Sequence, residues 1–445
     1  MEKALNKLSD VLSPIAFKLD ANRYLSAVKA GFFGAMSLLI IGSVFLLFAN
    51  LPINGYPEFM EGLLGADWNS YFMVPYNMTM EIMTPFVMVG VAKSLANYYK
   101  VDDIGAILLA LVSFFILTPS IADAGGATGI PTLNLSASGL FVGMLAAVIS
   151  TEIYRWVIQK GWVIRLPESV PSNVARSFSA LIPGFIVIVL FNFVRIGFSL
   201  TPFETAHAFI FQILQTPLLA LARTLPTTFI IFIFEGLLWS FGIHGSNIVG
   251  AVMNPIWLNL TAENATAFSA GAELPNIINA QFYGNFVKIG GAGATLGLAI
   301  CLLLFAKSQQ YKTLGRLAAV PGLFNINEPL VFGLPIVLNP VLIIPFLLMP
   351  LIMAGMTYAA MALNLVPLTN GANIPWTTPP IISGLLLSGW RGAVLQVFQI
   401  GVSAAVYYPF FRIVDQKAYQ LETEGTEGIE AVEEGGVQAT QPTEA

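Results

Sequence analysis

Glu328 lies in NINEPLVFGLP (residues 325–335), a carboxylate on a segment that Pro329, Gly333 and Pro335 keep from forming one unbroken helix. Pro329 removes a backbone donor and biases the residue before it away from helical geometry. Irregular backbone at membrane depth survives only inside protein or along a wet cavity, because lipid satisfies no freed N–H or C=O. An acid in that setting faces a substrate or ion path; the competing reading is a polar turn at the membrane surface, with Glu328 simply solvated. His244 raises the same question in EGLLWSFGIHGSNIVGAVMNP (235–255). Gly242 and Gly245 flank it and Ser246 and Asn247 follow, so the helix breaks around the side chain most easily shifted across neutral pH. The alternative is a satisfied core histidine. His207, the other histidine, falls in an amphipathic stretch and is assigned a structural role. A third break, NGANIPWTTPP (370–380), sets Trp376 on stiff backbone between Pro375 and Thr377. Its flat indole suits the C–H face of a pyranose ring, although a tryptophan of the interfacial belt reads the same way. Trp239 is weighed likewise.

These segments share one pattern, a broken apolar run that presents Glu, His, Asn or Trp. Discontinuous segments meeting near the middle of a membrane are how transporters build substrate sites. None of the three contains Lys or Arg, which argues against a carboxylate or phosphate guest and for a neutral, hydroxyl-rich one. A carboxylate, an imidazole and amides share hydroxyl hydrogen bonds while an indole covers the ring face. No metal or other cofactor is expected. The single cysteine, Cys301 in LGLAICLLLFA, reads as a small buried hydrophobe, and no thiolate site or disulfide framework is possible. The adjacent acids Asp102 and Asp103 have no second acidic cluster to hold magnesium, which weighs against an intramembrane prenyltransferase.

The elements that must carry these residues are membrane spans. The chain has 445 residues, 56% hydrophobic and only 10% charged, with a mean hydropathy of +0.75. A soluble domain carries about 25% charged residues, so this is an all-α polytopic membrane protein. Apolar runs near 30–50, 75–96, 104–122, 138–158, 179–199, 226–241, 286–306, 336–363 and 390–411, with broken segments, suggest about ten transmembrane helices. The first long run, Ala30 to Leu51, is of span length, and no cleavable signal is expected. Lys3, Lys7, Lys18, Arg23 and Lys29 precede the first span, whereas 52–73 and 123–136 hold no Lys or Arg. Both termini are therefore expected in the cytoplasm, the C-terminus by Arg412 and Lys417. Residues 1–199 read as clean spans. From Thr201 the texture loosens into an interfacial amphipathic helix (201–226), a polar loop or turn at 261–279, and Glu/Gly/Thr-rich residues from 421 expected to be disordered. The net charge of −5 comes mostly from that tail, and no nucleic-acid partner is expected.

GIHGSN (242–247), NINEP (325–329) and NIPW (373–376), in this order, resemble the membrane component, enzyme IIC (EIIC), of the bacterial phosphoenolpyruvate-dependent sugar phosphotransferase system, in its lactose/cellobiose/diacetylchitobiose branch. The resemblance covers nearly the whole chain apart from the tail. It implies a homodimer of ten-span protomers in the bacterial cell membrane. Residues 1–200 would form the dimerisation scaffold, 201–415 the sugar-binding transport domain with two re-entrant hairpins, and 416–445 a cytoplasmic disordered tail. It places His244 in the first hairpin with Trp239 and Asn247 nearby, Asn327 and Glu328 in the second, and Trp376 on the later binding loop. The implied guest is a β-linked disaccharide, cellobiose-like or diacetylchitobiose-like, phosphorylated at its 6-hydroxyl by the phosphocysteine of a separate EIIB charged by EIIA. Glu328 would hold that hydroxyl and accept its proton, with His244 orienting it. The alternative is an ion-coupled secondary sugar transporter with Glu328 and His244 as a proton relay.

Overall fold

The computed structural model describes residues 18, 21–51, 55–122, 126, 128–167, 170–334, 336, 339 and 341–436. Lys3, Lys7, Pro335 and tail residues 437–445 lie outside the described residues. Nearly everything described is helical; Ile121–Ala122 and Thr128–Gly129 form a short antiparallel pair.

In the first half Arg23–Ala49, Met83–Tyr99, Asp103–Leu117, Leu140–Gln159 and Leu181–Ser199 pack side by side. Asn22 starts the bundle, its side chain accepting from the Tyr24 and Leu25 N–H groups that have no partner within the helix. Glycine sets the closest approach. A Cβ added at Gly90 would lie 2.7 Å from the Gly31 Cα, so the two helices touch backbone to backbone. Small residues at crossings are how helices associate where the surroundings are as apolar as the side chains. The outer face of Leu181–Ser199 leaves Phe185, Leu190 and Phe193 exposed, as a face turned to lipid would be.

The second half is made of shorter pieces. Ala206–Ile210, a π-helical turn Phe211–Gln215 and Thr216–Ala222 occupy the expected amphipathic stretch, then bend by 85° into Leu225–Ser240. His207 is buried there, its Nε2 3.1 Å from Thr118 Oγ1. Gly245–Ser269 packs against Leu225–Ser240 and against the first helix, Arg23–Ala49. It remains helical through 261–269, where a loop was expected, and ends only where Gly271 takes φ 64°. Leu296–Phe305 sits between Gln309–Leu323 and the last helix, Ile382–Gly436, which kinks at Gly389 (φ 68°).

Among the described residues, five helices are long and apolar enough to cross a membrane, or six if the bent pair counts as one span. The runs near 75–96 and 286–306 do not form single helices. The first is divided between Trp68–Met80 and Met83–Tyr99, and the second between a π-helical turn, Phe282–Val287, and Leu296–Phe305. The last helix continues past residue 416 to Gly436, and two of its acids have a capping role. Asp415 accepts from the N–H of Lys307 at 2.9 Å and of Ser308 at 3.1 Å, and Glu422 from those of Gln309 and Gln310 at 2.9 and 3.0 Å. Carboxylates at a helix N-terminus satisfy its free donors and oppose its dipole, so the acids of the last helix are held by Gln309–Leu323.

Candidate functional site

The helix Leu225–Ser240 stops because Gly242 takes φ 77°. The Gly242 N–H then donates to Trp239 O and the Ile243 N–H to Leu238 O, both at 3.0 Å, closing the end in a Schellman motif. A Cβ at Gly245 would lie 2.3 Å from Glu235 O, so the chain turns back against its own helix. His244 is left as the residue that starts Gly245–Ser269, its carbonyl accepting from the Asn247 N–H at 3.0 Å. Glu328 is placed by the same logic in mirror order. Asn325 turns the chain with φ 60°, the Asn327 carbonyl accepts from the Leu330 and Val331 N–H groups, and Glu328–Gly333 begins with Pro329 in its first turn. Proline is tolerated there because that N–H would have no partner within the helix.

These breaks are tied together by amides. Asn325 accepts from the Gly290 N–H at 2.7 Å and donates to Trp376 O and Thr378 O at 2.6 and 3.1 Å. Asn327 donates to Ala292 O at 2.6 Å and Thr295 Oγ1 at 2.9 Å. Both asparagines thus pin Gly290–Thr295, in which Gly291 takes φ 93° and a Cβ there would lie 2.5 Å from Asn327 Cγ. The expected guest-binding role of Asn327 is narrowed by this: its amide nitrogen is occupied in holding the loop.

The segments enclose a cavity of about 360 Å³, inside the range of small-molecule sites. His244, Glu328, Asn327, Trp376, Trp239 and Asn247 all line it. His244 Nε2 stands 3.8 Å from Glu328 Oε1, and both side chains are close to half exposed. The Trp376 indole is 44% exposed, free to cover a guest. Unanticipated from sequence is a row of amides: Gln281 donates to Asn373 Oδ1 at 2.6 Å, and Asn285 donates to Gln281 Oε1 at 2.8 Å. The first helix also contributes Phe32, Phe33 and Met36 to the wall, and its Ser43 Oγ accepts from the Asn373 N–H at 2.7 Å.

The three motifs hold no Lys or Arg, but the cavity they line does hold a cation from outside them. Lys288 lines the cavity, nearly buried and ion-paired with Glu235. Lysine was overlooked because it falls outside the three motifs, although it is the only Lys or Arg between Arg223 and Lys307. It is not a clamp for an anionic guest. An ammonium has three donors, and here they go to Glu235, to Tyr283 Oη and to Ser246 Oγ. Tyr283 Oη in turn donates to Glu235 Oε2 at 2.7 Å, and its ring stacks on Trp257, centroids 4.1 Å apart. The inference of a neutral guest survives for a different reason: the cation is neutralised from within.

The family model described as "Phosphotransferase system, EIIC" matches residues 29–350. The cellobiose-specific EIIC component of Geobacillus stearothermophilus is 45% identical over 96% of this chain and 98% of its own. The lichenan permease IIC component of Bacillus subtilis (strain 168) is 43% identical, covering 95% and 96%. The crystal structure of the transporter ChbC, the IIC component from the N,N′-diacetylchitobiose-specific phosphotransferase system, superposes with a TM-score of 0.90 at 43% identity, covering 94% and 99%. The fold and the sequence agree along nearly the full length, and the chain belongs to the EIIC family of the phosphotransferase system.

Proposed function

We propose that this multi-pass membrane protein binds a β-linked disaccharide of the cellobiose or diacetylchitobiose type and presents its 6-hydroxyl for phosphorylation during import. The observation that carries the proposal is the approach of His244 Nε2 to Glu328 Oε1, 3.8 Å, on the wall of a cavity otherwise furnished with amides and indoles. The substrate class is supported by the named specificities of the relatives. The finer architecture that accompanies this reading is a homodimer of ten-span protomers with cytoplasmic termini. The breaks at His244 and Glu328 are then the tips of two re-entrant hairpins, residues 1–200 the scaffold and 201–415 the transport domain.

In the reaction, the sugar O6 forms a bond to phosphorus as the S–P bond of an EIIB phosphocysteine breaks. The hydroxyl proton passes to the Glu328 carboxylate and the electron pair leaves on the cysteine thiolate. Phosphoryl transfer of this kind depends mainly on positioning and charge stabilisation. Trp376 covers the sugar ring, Trp239, only 3% exposed, lies on the cavity wall against His244, and His244 fixes the direction of the hydroxyl. EIIB is recharged by EIIA.

Membrane vesicles supplied with phosphoenolpyruvate, the soluble phosphotransferase proteins and labelled cellobiose or N,N′-diacetylchitobiose test the reading. Removal of a general base costs about 10²–10⁴-fold, and Glu328→Gln is expected to lower sugar-phosphate formation within that range. Unaltered formation in Glu328→Gln and His244→Ala refutes the assigned roles. Unmodified sugar that accumulates and collapses with an uncoupler favours the ion-coupled alternative.

A further inference from the structure

Glu235 lies behind the cavity wall and Lys288 on it, but the donors of Lys288 are all engaged by Glu235, Tyr283 and Ser246, so their effect on a guest must pass through a neighbour. That neighbour is Ser246. A serine hydroxyl has one proton and two lone pairs. The proton goes to Glu235 Oε1 at 2.5 Å, and the oxygen accepts from Lys288 Nζ at 2.9 Å and from Trp239 Nε1 at 3.1 Å. Nothing is left for a sugar hydroxyl, although Ser246 lines the cavity. Because Glu235 takes the proton, Ser246 is committed as an acceptor toward the indole, which is a donor only.

The Trp239 ring, held at its nitrogen, lies against the His244 imidazole with centroids 4.3 Å apart at 46°. A working histidine is ordinarily oriented by a hydrogen bond on the nitrogen turned away from its substrate. His244 lacks that arrangement: Nδ1 is buried and makes no hydrogen bond to another described residue, while Nε2 faces Glu328. Something else must set the ring, and Trp239 is the side chain packed against it at a tilt.

We propose that Glu235, Lys288 and Ser246 are positioning residues that orient the His244 imidazole through the Trp239 ring, in place of a hydrogen bond from Nδ1 to another residue. This rests on the reading of His244 and Glu328 as the pair that holds the sugar hydroxyl. The consequence is kinetic. The Trp376 face and the amide row keep the sugar bound when the imidazole is misaligned, whereas a displacement of about 1 Å at the reacting group costs on the order of 10²-fold in rate.

The test uses the full-length protein in proteoliposomes. Equilibrium binding of cellobiose and N,N′-diacetylchitobiose is compared with the turnover of sugar-phosphate formation by the soluble phosphotransferase proteins. Ser246→Ala is expected to keep its Kd and to lose about 10²-fold in kcat, with Ser246→Thr restoring turnover because it returns the hydroxyl. Lys288→Met alone strands a buried carboxylate and is expected to fold poorly. The charge-balanced double variant Glu235→Gln with Lys288→Met keeps the question answerable and should reproduce the kcat loss. Wild-type turnover in a folded Ser246→Ala protein overturns the proposal, as does a parallel loss of Kd and kcat that Ser246→Thr fails to repair. His244→Ala separates the two levels. If it keeps full turnover, the role given to His244 is wrong; if it loses turnover and Ser246→Ala does not, only the positioning is wrong.

Discussion

The two halves of the chain bury different polar groups. Before residue 200, apart from aromatic side chains, every buried polar side chain among the described residues is Ser or Thr, and two of them, Ser43 and Thr118, return their hydroxyl to the carbonyl four residues earlier. After residue 200 the buried set fills with amides, among them Asn264, Asn276, Asn279, Asn325, Asn327, Gln396 and Gln399. The difference follows from continuity of the backbone. An unbroken helix satisfies its own N–H and C=O groups, so its neighbours need only fit against it. A broken helix frees those groups at a depth where lipid offers no replacement, and side chains with both a donor and an acceptor must take them up. Gln396 shows the economy of the solution: its Oε1 accepts from the Ile381 and Gly384 N–H groups while its Nε2 donates to Asn285 O and Ser383 Oγ. The polar site is thus a by-product of the same breaks that the amides repair.

The comparison is most exposed to failure at Asn325. Its replacement by Ala strands the Gly290 N–H and the carbonyls of Trp376 and Thr378 together, at about 1–3 kcal/mol for each buried group. A loss on the order of 4 kcal/mol is expected, seen as a large fall in melting temperature in detergent. A melting curve that coincides with wild type would show that the loops do not depend on their amides. In the first half the sensitivity should lie in shape instead. Gly90→Val drives a side chain into the Gly31 backbone, and overpacking of this kind costs about 2 kcal/mol. The folded fraction should still bind sugar with wild-type Kd, and a changed Kd would mean that the bundle does more than support. The smallest effect is expected at Glu422→Gln, which keeps an acceptor for Gln309 and Gln310 but removes the charge. The variant should melt slightly below wild type at low salt and approach it at high salt, since exposed charge effects at a helix end are screened. Equal differences at both salt concentrations would assign the contribution to geometry alone.

How legible all this was depended on whether a signal was local. His244, Glu328 and Trp376 stood out because a polar or aromatic residue beside Gly or Pro inside an apolar run is improbable without a cause. Their placement on one cavity agrees with that reading. Lys288 and Glu235 were missed as a pair because they are 53 positions apart and only folding brings them together (288 − 235). Asn327 was legible as important but not in kind, since sequence cannot tell an amide that meets a guest from one that braces a loop. The long spans were read well at Arg23–Ala49 and Leu181–Ser199, which stay helical through Gly31, Gly34, Gly42, Pro183 and Gly184, and poorly at 75–96 and 286–306, where the chain divides. The start of the acidic tail hid its partner for a related reason. Its composition suggested a chain with nothing to bury, but Glu422 has a partner more than a hundred residues earlier.

The saturation of Lys288 has a consequence for the direction of flow. Under the proposed reaction the guest enters uncharged and leaves carrying a phosphate. The only ammonium or guanidinium on the described cavity wall already has all its donors engaged, and the Glu328 carboxylate stands where the new charge would appear. No free cation on that wall retains the product, and Glu328 repels it once it has released the proton taken from the sugar. The site would therefore resist product inhibition by its own charge arrangement and act as a ratchet, without any gate having to recognise what has been made.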